Sequence, residues 1–150
     1  MKNYLLDTNV FLYLLRKDRR WFKIEEQFGL NKTGNFISLI SLGELWSIGL
    51  RNQWGISRMT QIEDLVQNFT LIDLNIESII KRYGEIDAFS QGKLKDRPLS
   101  ASARNMGKND LWLAATASVL NLTLITSDQD FNHLAPAFLS LEALDMHQFN

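Results

Sequence analysis

The sequence predicts an α/β domain built on a mostly parallel sheet with helices on both faces. Three observations lead there. Short apolar runs alternate with stretches of helical periodicity along nearly the whole chain, the pattern of strand–helix–strand units. The chain has 150 residues, 45% hydrophobic and 11% aromatic, enough for one buried core and suited to one domain over residues 1–150. Acidic residues recur where a strand passes into a helix or a helix leads into a strand, and in parallel sheets ligands bind beyond the carboxyl ends of the strands.

The elements follow in order. Asn3-Tyr4-Leu5-Leu6-Asp7 reads as a short apolar strand ending on an acid, and Val10 to Arg16, apolar at 10, 11, 12, 14 and 15, as a helix packed back on it. Arg16 to Lys23 is basic and interleaved with Trp21 and Phe22, and Gly29 to Gly34 carries turn chemistry. Residues 36–40 form a second apolar run. Ser41 stands three residues before Glu44, the spacing of a capping box, so a helix is expected to start here with Glu44 in its first turn. Trp46, Ile48, Leu50 and Trp54 make a stripe expected to be core or subunit interface. Residues 56–68 read as a helix, 69–74 as a third strand and 76–89 as a helix. Gln91 to Asn109, rich in Gly, Ser, Lys and Arg, reads as a long surface loop. A helix buried nearly all round is expected at 110–120, a fourth strand at 122–126 and a short last strand at 138–141. No internal repeat or linker interrupts the series.

Composition removes several function classes. With no Cys, the chain forms neither a disulfide nor a thiolate metal site. Sixteen Lys and Arg against 17 Asp and Glu give a net charge of -1, which excludes an all-over basic coat for nucleic acid. The balance is uneven, however. Residues 1–108 carry all 16 basic residues, whereas 109–150 carry five acidic and none. An early carboxylate at Asp7 interrupts any secretion signal, so a cytoplasmic location without membrane attachment is expected. The longest uncharged run, Leu111 to Ser127, falls short of a membrane span and contains polar residues.

Four acids occupy equivalent places. Asp7 ends the first strand, Glu44 starts the helix after the second, Asp110 starts the helix leading into the fourth, and Asp128 follows that strand with Asp130 close by. An Asp after a strand is ordinarily a turn residue, and an acid at a helix start is ordinarily a cap. No single one of these acids identifies a site, but their joint placement brings separations of 37, 66 and 18 residues to one sheet edge. Carboxylates gathered so closely repel, which a hard divalent cation relieves. Oxygen ligands alone favour Mg²⁺ or Mn²⁺ over zinc.

The segments Leu5-Leu6-Asp7-Thr8-Asn9, Ser41-Leu42-Gly43-Glu44-Leu45, Lys108-Asn109-Asp110-Leu111-Trp112 and Leu124-Ile125-Thr126-Ser127-Asp128-Gln129-Asp130-Phe131 resemble the four acidic motifs of PIN-domain nucleases. Within that family the resemblance is to the VapC-type toxins of prokaryotic toxin–antitoxin pairs, and it extends from about residue 3 to 134. It implies a three-layer α/β/α fold with four to five strands, one or two Mg²⁺ or Mn²⁺ ions, and endonucleolytic cleavage of RNA. It further implies that Asp7, Glu44 and Asp110 are metal ligands and Asp128 the fourth acid, with Asp130 as its competitor. Thr8, Asn9 and Thr126 would support that shell. A homodimer and a cognate antitoxin that covers the cleft are the partners it suggests.

Phosphodiester hydrolysis by metal-activated water needs no nucleophilic side chain, so His133 and His147 are expected to be structural or solvent-exposed. RNA must still be held beside an acidic site, and phosphate contacts supply most of such affinity. Two basic segments can do this: Arg16, Arg19 and Arg20 with Lys23, and Lys93, Lys95, Arg97, Arg104 and Lys108 in the long loop. Two rivals remain. One is a PIN-fold module that binds RNA or protein without cutting. The other is a different Mg²⁺ phosphotransfer domain, although Asp7-Thr8-Asn9 lacks the DxD of haloacid-dehalogenase-like phosphatases and no Lys follows the fourth strand as in a receiver.

Overall fold

The computed structural model describes residues 2–32 and 34–150. Its first strand β1 (Tyr4–Leu6) runs into helix α1 (Thr8–Arg16), with Asp7 as the cap between them. Leu5 and Leu6 point to opposite faces of the sheet and neither is exposed, as expected of a strand covered on both sides. Truncating either to Ala would cost about 2–5 kcal/mol.

Helix α2 (Arg19–Phe28) follows after two residues. The sequence reading took this stretch only as a basic, aromatic segment, and the helix is a correction. Lys17 adopts the left-handed conformation at φ 51°, and the Asp18 carboxylate accepts from Trp21 N, starting a new helix that buries Trp21 and Ile24. Strand β2 (Phe36–Ser38) then enters α3 (Leu39–Arg51). Here too the expectation needs correcting, because Ser38 rather than Ser41 caps the helix, its hydroxyl accepting from Ile40 N. Ser41 lies buried inside α3 with an unpartnered hydroxyl, and Glu44 falls in the second turn.

Helix α4 (Ile56–Val66), strand β3 (Thr70–Ile72) and helix α5 (Glu77–Ser90) complete the left half. Helix α6 (Lys108–Val119), starting two residues earlier than expected, leads into β4 (Thr123–Thr126). A 3₁₀ turn over Gln129–Leu134 precedes β5 (Ser140–Ala143), and a second over Met146–Phe149 ends the chain. The last strand begins two residues later than its apolar run suggested, because Phe138 and Leu139 are spent on the core before pairing begins.

The five strands are ordered β3-β2-β1-β4-β5, and every adjacent pair is parallel. Helices α5 and α6 cover one face, closing a core with Leu5 and Leu124, while α1, α2 and α3 cover the other around Leu6 and Ile125. The result is a three-layer α/β/α domain. Connections leave β1 toward β2 on one side, while β4 leads to β5 on the other. The strand order therefore reverses between β1 and β4, and a crevice opens at their carboxyl ends. No helix of the described residues is long and apolar enough to cross a membrane.

Candidate functional site

Asp7 sits at that reversal. Its backbone N–H donates to Ile125 O of β4 at 3.0 Å, which fixes the end of β1 against its neighbour. The side chain is 5% exposed and richly satisfied. Thr8 N donates to Oδ1 at 2.7 Å, while Thr126 Oγ1 and Asn9 Nδ2 donate to Oδ2 at 2.8 and 3.3 Å. Burial nonetheless raises its pKa, outweighing these bonds.

Thr126 is the knot of the site. It donates to Asp7 and accepts from Asp128 N at 2.9 Å and Asn9 Nδ2 at 3.4 Å. Asn9 Oδ1 in turn accepts from Ser127 N at 3.3 Å. One hydroxyl and one carboxamide thus tie the first and fourth motifs together across 117 or more residues of chain. Thr8 ties in the second motif by donating from Oγ1 to Glu44 Oε1 at 3.2 Å. The earlier start of α3 places Glu44 in the second turn, where it meets Thr8 instead of serving as a cap. Burial raises the Glu44 pKa, opposed by the Thr8 bond and assisted by Asp7.

Asp110 enters from the first turn of α6, where Gly107 caps the helix without a side chain of its own. Desolvation pushes its carboxyl up to about 7, and Asp7, Asp128, Glu44 and Asp130 all push the same way. The other four predicted acids thus lie within electrostatic reach of Asp110. Among the five, Asp110, Asp128 and Asp130 offer oxygen atoms all within 4.8 Å of one another. Asp128 also caps the following 3₁₀ turn by accepting from Asp130 N at 2.9 Å. This local bond aligns the two acids and leaves both facing Asp110. An all-carboxylate group of this size suits a hard divalent cation, with Asp7 and Glu44 bordering it.

The basic residues divide. Arg104, anchored by its N–H on Ser90 O at 2.8 Å, lines one surface hollow with Lys93 and another with Asp130. Lys108 shares a hollow with Asp110. Arg97 instead lies on the protein, donating to Ala137 O at 3.0 Å with its guanidinium 4.5 Å from the Phe138 ring centre, and Lys95 is exposed. Arg16 and Arg20 stand 5.9 and 5.8 Å from the Tyr13 ring centre, and Arg19 is exposed at the start of α2. The loop between α5 and α6 is more tightly held than its composition suggests, since Met106 is buried and Leu94 and Leu99 pack on the core.

His133 lies near the acids without joining them. Its Nε2 is 2.7 Å from Ser90 Oγ and its ring stacks parallel to Phe89, a packed role in keeping with a pKa lowered by burial and by Arg104. The stripe on α3 also divides, with Trp46 half-buried and Leu50 71% exposed. Sequence reasoning missed the neighbours of Asp128 on the far side: Tyr13 of α1 and Asn132, Met146 and His147 of the 3₁₀ turns share a cleft with it. No periodicity or motif signals them, because only the pairing of β5 beside β4 brings the chain end there.

Fold and site together define a three-layer α/β/α domain with a carboxylate-lined crevice at its switch point. The chain belongs to the PIN domain family, whose family model matches residues 4–136. It is similar to Ribonuclease VapC2 of Haemophilus influenzae, 27% identical over 128 residues that make up 85% of this chain and 88% of that protein. Ribonuclease VapC1 of H. influenzae strain R2866 is 28% identical over 123 residues, 82% and 84% of the two chains. Among solved structures, VapBC-1 from nontypeable H. influenzae aligns with a TM-score of 0.70 at 27% identity over 93% of this chain and 96% of that one. VapBC2 from Rickettsia felis, bound to a DNA fragment from its promoter, aligns with a TM-score of 0.72 at 24% identity over 95% and 98%, which bears on the fold.

Proposed function

We propose that this protein is a divalent-metal-dependent endoribonuclease of the VapC type, a cytoplasmic toxin that forms a homodimer and is restrained by an antitoxin. The observation that carries the chemistry is the gathering of five carboxylates around one crevice, three of them with oxygens within 4.8 Å. The similarity to proteins named Ribonuclease VapC, and to complexes named VapBC, supports the substrate and the partner.

The donor set fits Mg²⁺ or Mn²⁺, since it is all oxygen and its charge is excessive without a cation. Asp110, Asp128 and Asp130 would hold the ion, with Asp7 and Glu44 completing its surroundings. When bound, such an ion neutralises the phosphoryl oxygens and makes water a competent nucleophile at neutral pH. The protein's part is alignment. Thr126 and Asn9 hold Asp7 against β4, Thr8 aims Glu44, and the Asp130 N–H orients Asp128. Water attacks phosphorus in line with the departing 3′ oxygen, leaving 5′-phosphate and 3′-hydroxyl ends. Arg104, which lines one hollow with Asp130 and another with Lys93, holds the flanking phosphates together with Lys93.

The test is cleavage of a panel of structured RNAs with Mg²⁺, Mn²⁺ or EDTA by the wild type and by Asp7→Asn, Glu44→Gln and Asp110→Asn. Metal-dependent cleavage lost in each folded variant is expected. Full activity in Asp110→Asn would overturn the site, and RNA retained uncut by the wild type would make the chain a binding module.

A further inference from the structure

The cleft that Asp128 shares with the end of the chain is not used by the chemistry described so far. It is an open hollow of about 380 Å³ lying between α1, the turn after β4 and the turn after β5. That volume is within the range of sites that bind small organic groups. Asp128 and Asp145 give it two carboxylates. Its sides carry the Tyr13 ring and the Met146 side chain, flat or pliable apolar surface, together with Gln129, Asn132 and His147, all three exposed and offering carboxamide and imidazole groups to solvent. His147 is oriented by its backbone, whose N–H donates to Asp145 Oδ1 at 3.1 Å.

Both signs of charge border this cleft. Asp128 and Asp145 line the cleft, while Arg16 and Arg20 stand with their guanidinia 5.9 and 5.8 Å from the centre of the Tyr13 ring that forms part of its wall. Arg20 is partly engaged by Asp18 at 3.2 Å, whereas Arg16 is exposed. A single nucleotide of an RNA chain has matching demands: a phosphate at a cation-binding end, a base needing apolar faces and edge hydrogen bonds, and a further phosphate needing a fixed cation. Unstacked bases are read by RNA-binding proteins through such contacts on aromatic and amide side chains.

We propose that this cleft is a base-reading subsite, which receives the unpaired base of a nucleotide flanking the bond to be cut and sets sequence preference through Asn132, His147 and Gln129. The subsite rests on the nuclease reading for its place in a reaction, but it is a binding claim and can be tested apart from cleavage. Asn132 and His147 are exposed, so replacing them does not endanger the fold.

The first arm is titration of ¹⁵N-labelled protein with each nucleoside 5′-monophosphate and with ribose 5-phosphate. The side-chain signals of Gln129, Asn132 and His147 should move with at least one nucleotide and not with the sugar phosphate. Equal shifts with ribose 5-phosphate, or none with any nucleotide, would overturn the subsite. The second arm compares cleavage of an RNA hairpin with that of copies carrying an abasic residue at successive positions beside the cut. For the wild type one position should cost about tenfold in kcat/KM, the scale of one base contact, and for Asn132→Ala/His147→Ala the same abasic residue should cost less than twofold. An equal abasic penalty in both proteins, or none in either, would sink the proposal while leaving the nuclease intact. Nucleotide-specific shifts in a protein that cuts no RNA would have the opposite meaning, sustaining the subsite and removing the nuclease.

Discussion

Asp7 and Asp110 face the same crevice and are built in opposite ways. Asp7, at the end of a central strand, receives three hydrogen bonds and is almost inaccessible. Asp110, in the exposed first turn of the otherwise buried helix α6, is half-exposed, and burial and four neighbouring carboxylates raise its pKa with no hydrogen bond among the described residues to offset them. One acid is therefore tied into the architecture by hydrogen bonds that offset part of the cost of its burial. The other is held in a stressed state that only a proton or a cation relieves. The comparison separates what fold stability requires from what ligand binding requires, inside one cluster of like residues.

The largest effect expected is on cleavage. Asp7→Asn and Asp110→Asn should each lower it on the order of a thousandfold, since each removes charge from the metal site while keeping bulk. Thr126→Val, which reaches the site only through its hydrogen bonds with Asp7 and Asp128 N, should cost roughly 10- to 100-fold. Single-turnover rates at saturating RNA distinguish the two classes. A Thr126 variant as active as the wild type would show that the bonded hub serves folding alone.

Stability should then split the pair by sign. Asp7→Ala leaves the Thr126 hydroxyl and the Thr8 N–H without their acceptor, a loss of about 1–3 kcal/mol, or several degrees of melting temperature at roughly 2–4 °C per kcal/mol. Asp110→Asn should melt higher than the wild type in EDTA, and gain less from Mn²⁺. Saturating metal should raise the wild type by roughly 5–10 °C if it binds the folded state alone at 100 times its dissociation constant. Melting both variants on the same side of the wild type would erase the proposed distinction.

A smaller and more diagnostic effect is pH dependence. The Asp110 carboxyl titrates at about 7 in the folded protein against an ordinary 3.8, so the folded state keeps a proton that the unfolded chain releases. The stability this contributes is present at low pH and is lost as pH rises from about 4 to about 7. The raised pKa values of Asp7 and Glu44 act in the same direction. In EDTA the melting temperature should thus fall across that window, less steeply for Asp110→Asn, and Mn²⁺ should flatten the fall by stabilising the ionised form. A wild type whose stability climbs through the window would contradict this.

The smallest effect concerns the basic loop. Neutralising Lys93 and Arg104 should flatten the log–log salt dependence of RNA binding by roughly 0.7 per lost single-strand phosphate contact. Arg97→Ala, removing a side chain already laid on Ala137 and Phe138, should leave the slope in place. An equal effect from Arg97 would mean that its surface contacts give way to RNA.

The succession of strands and helices, the mostly parallel sheet and the acids at strand and helix ends were legible because each is encoded locally: an apolar run, a helical stripe, an acid at the junction. Helix α2 was not, because a single left-handed residue at Lys17 separates it from α1 and its basic exposed face dominates the composition. Ser41 looked like a cap because the spacing to Glu44 is correct for one. Ser38, three residues earlier, was already at the end of β2 with its hydroxyl free to start the helix, and the nearer strand end won.

By itself the sequence determined which residues are acids at strand and helix ends, that no thiolate chemistry is available, and that the core is apolar on both faces of a parallel sheet. These follow from residue type and short-range periodicity, which need no partner to be read. Tertiary structure alone decided that Thr126 bridges Asp7 and Asp128, that Thr8 aims Glu44, that Asp110 is the acid under greatest stress, and that the chain end forms a cleft beside Asp128. Each of these depends on distances between segments dozens of residues apart, set by strand register and by how helices pack. Burial and electrostatic coupling are properties of that assembled geometry, so no reading of local pattern contains them.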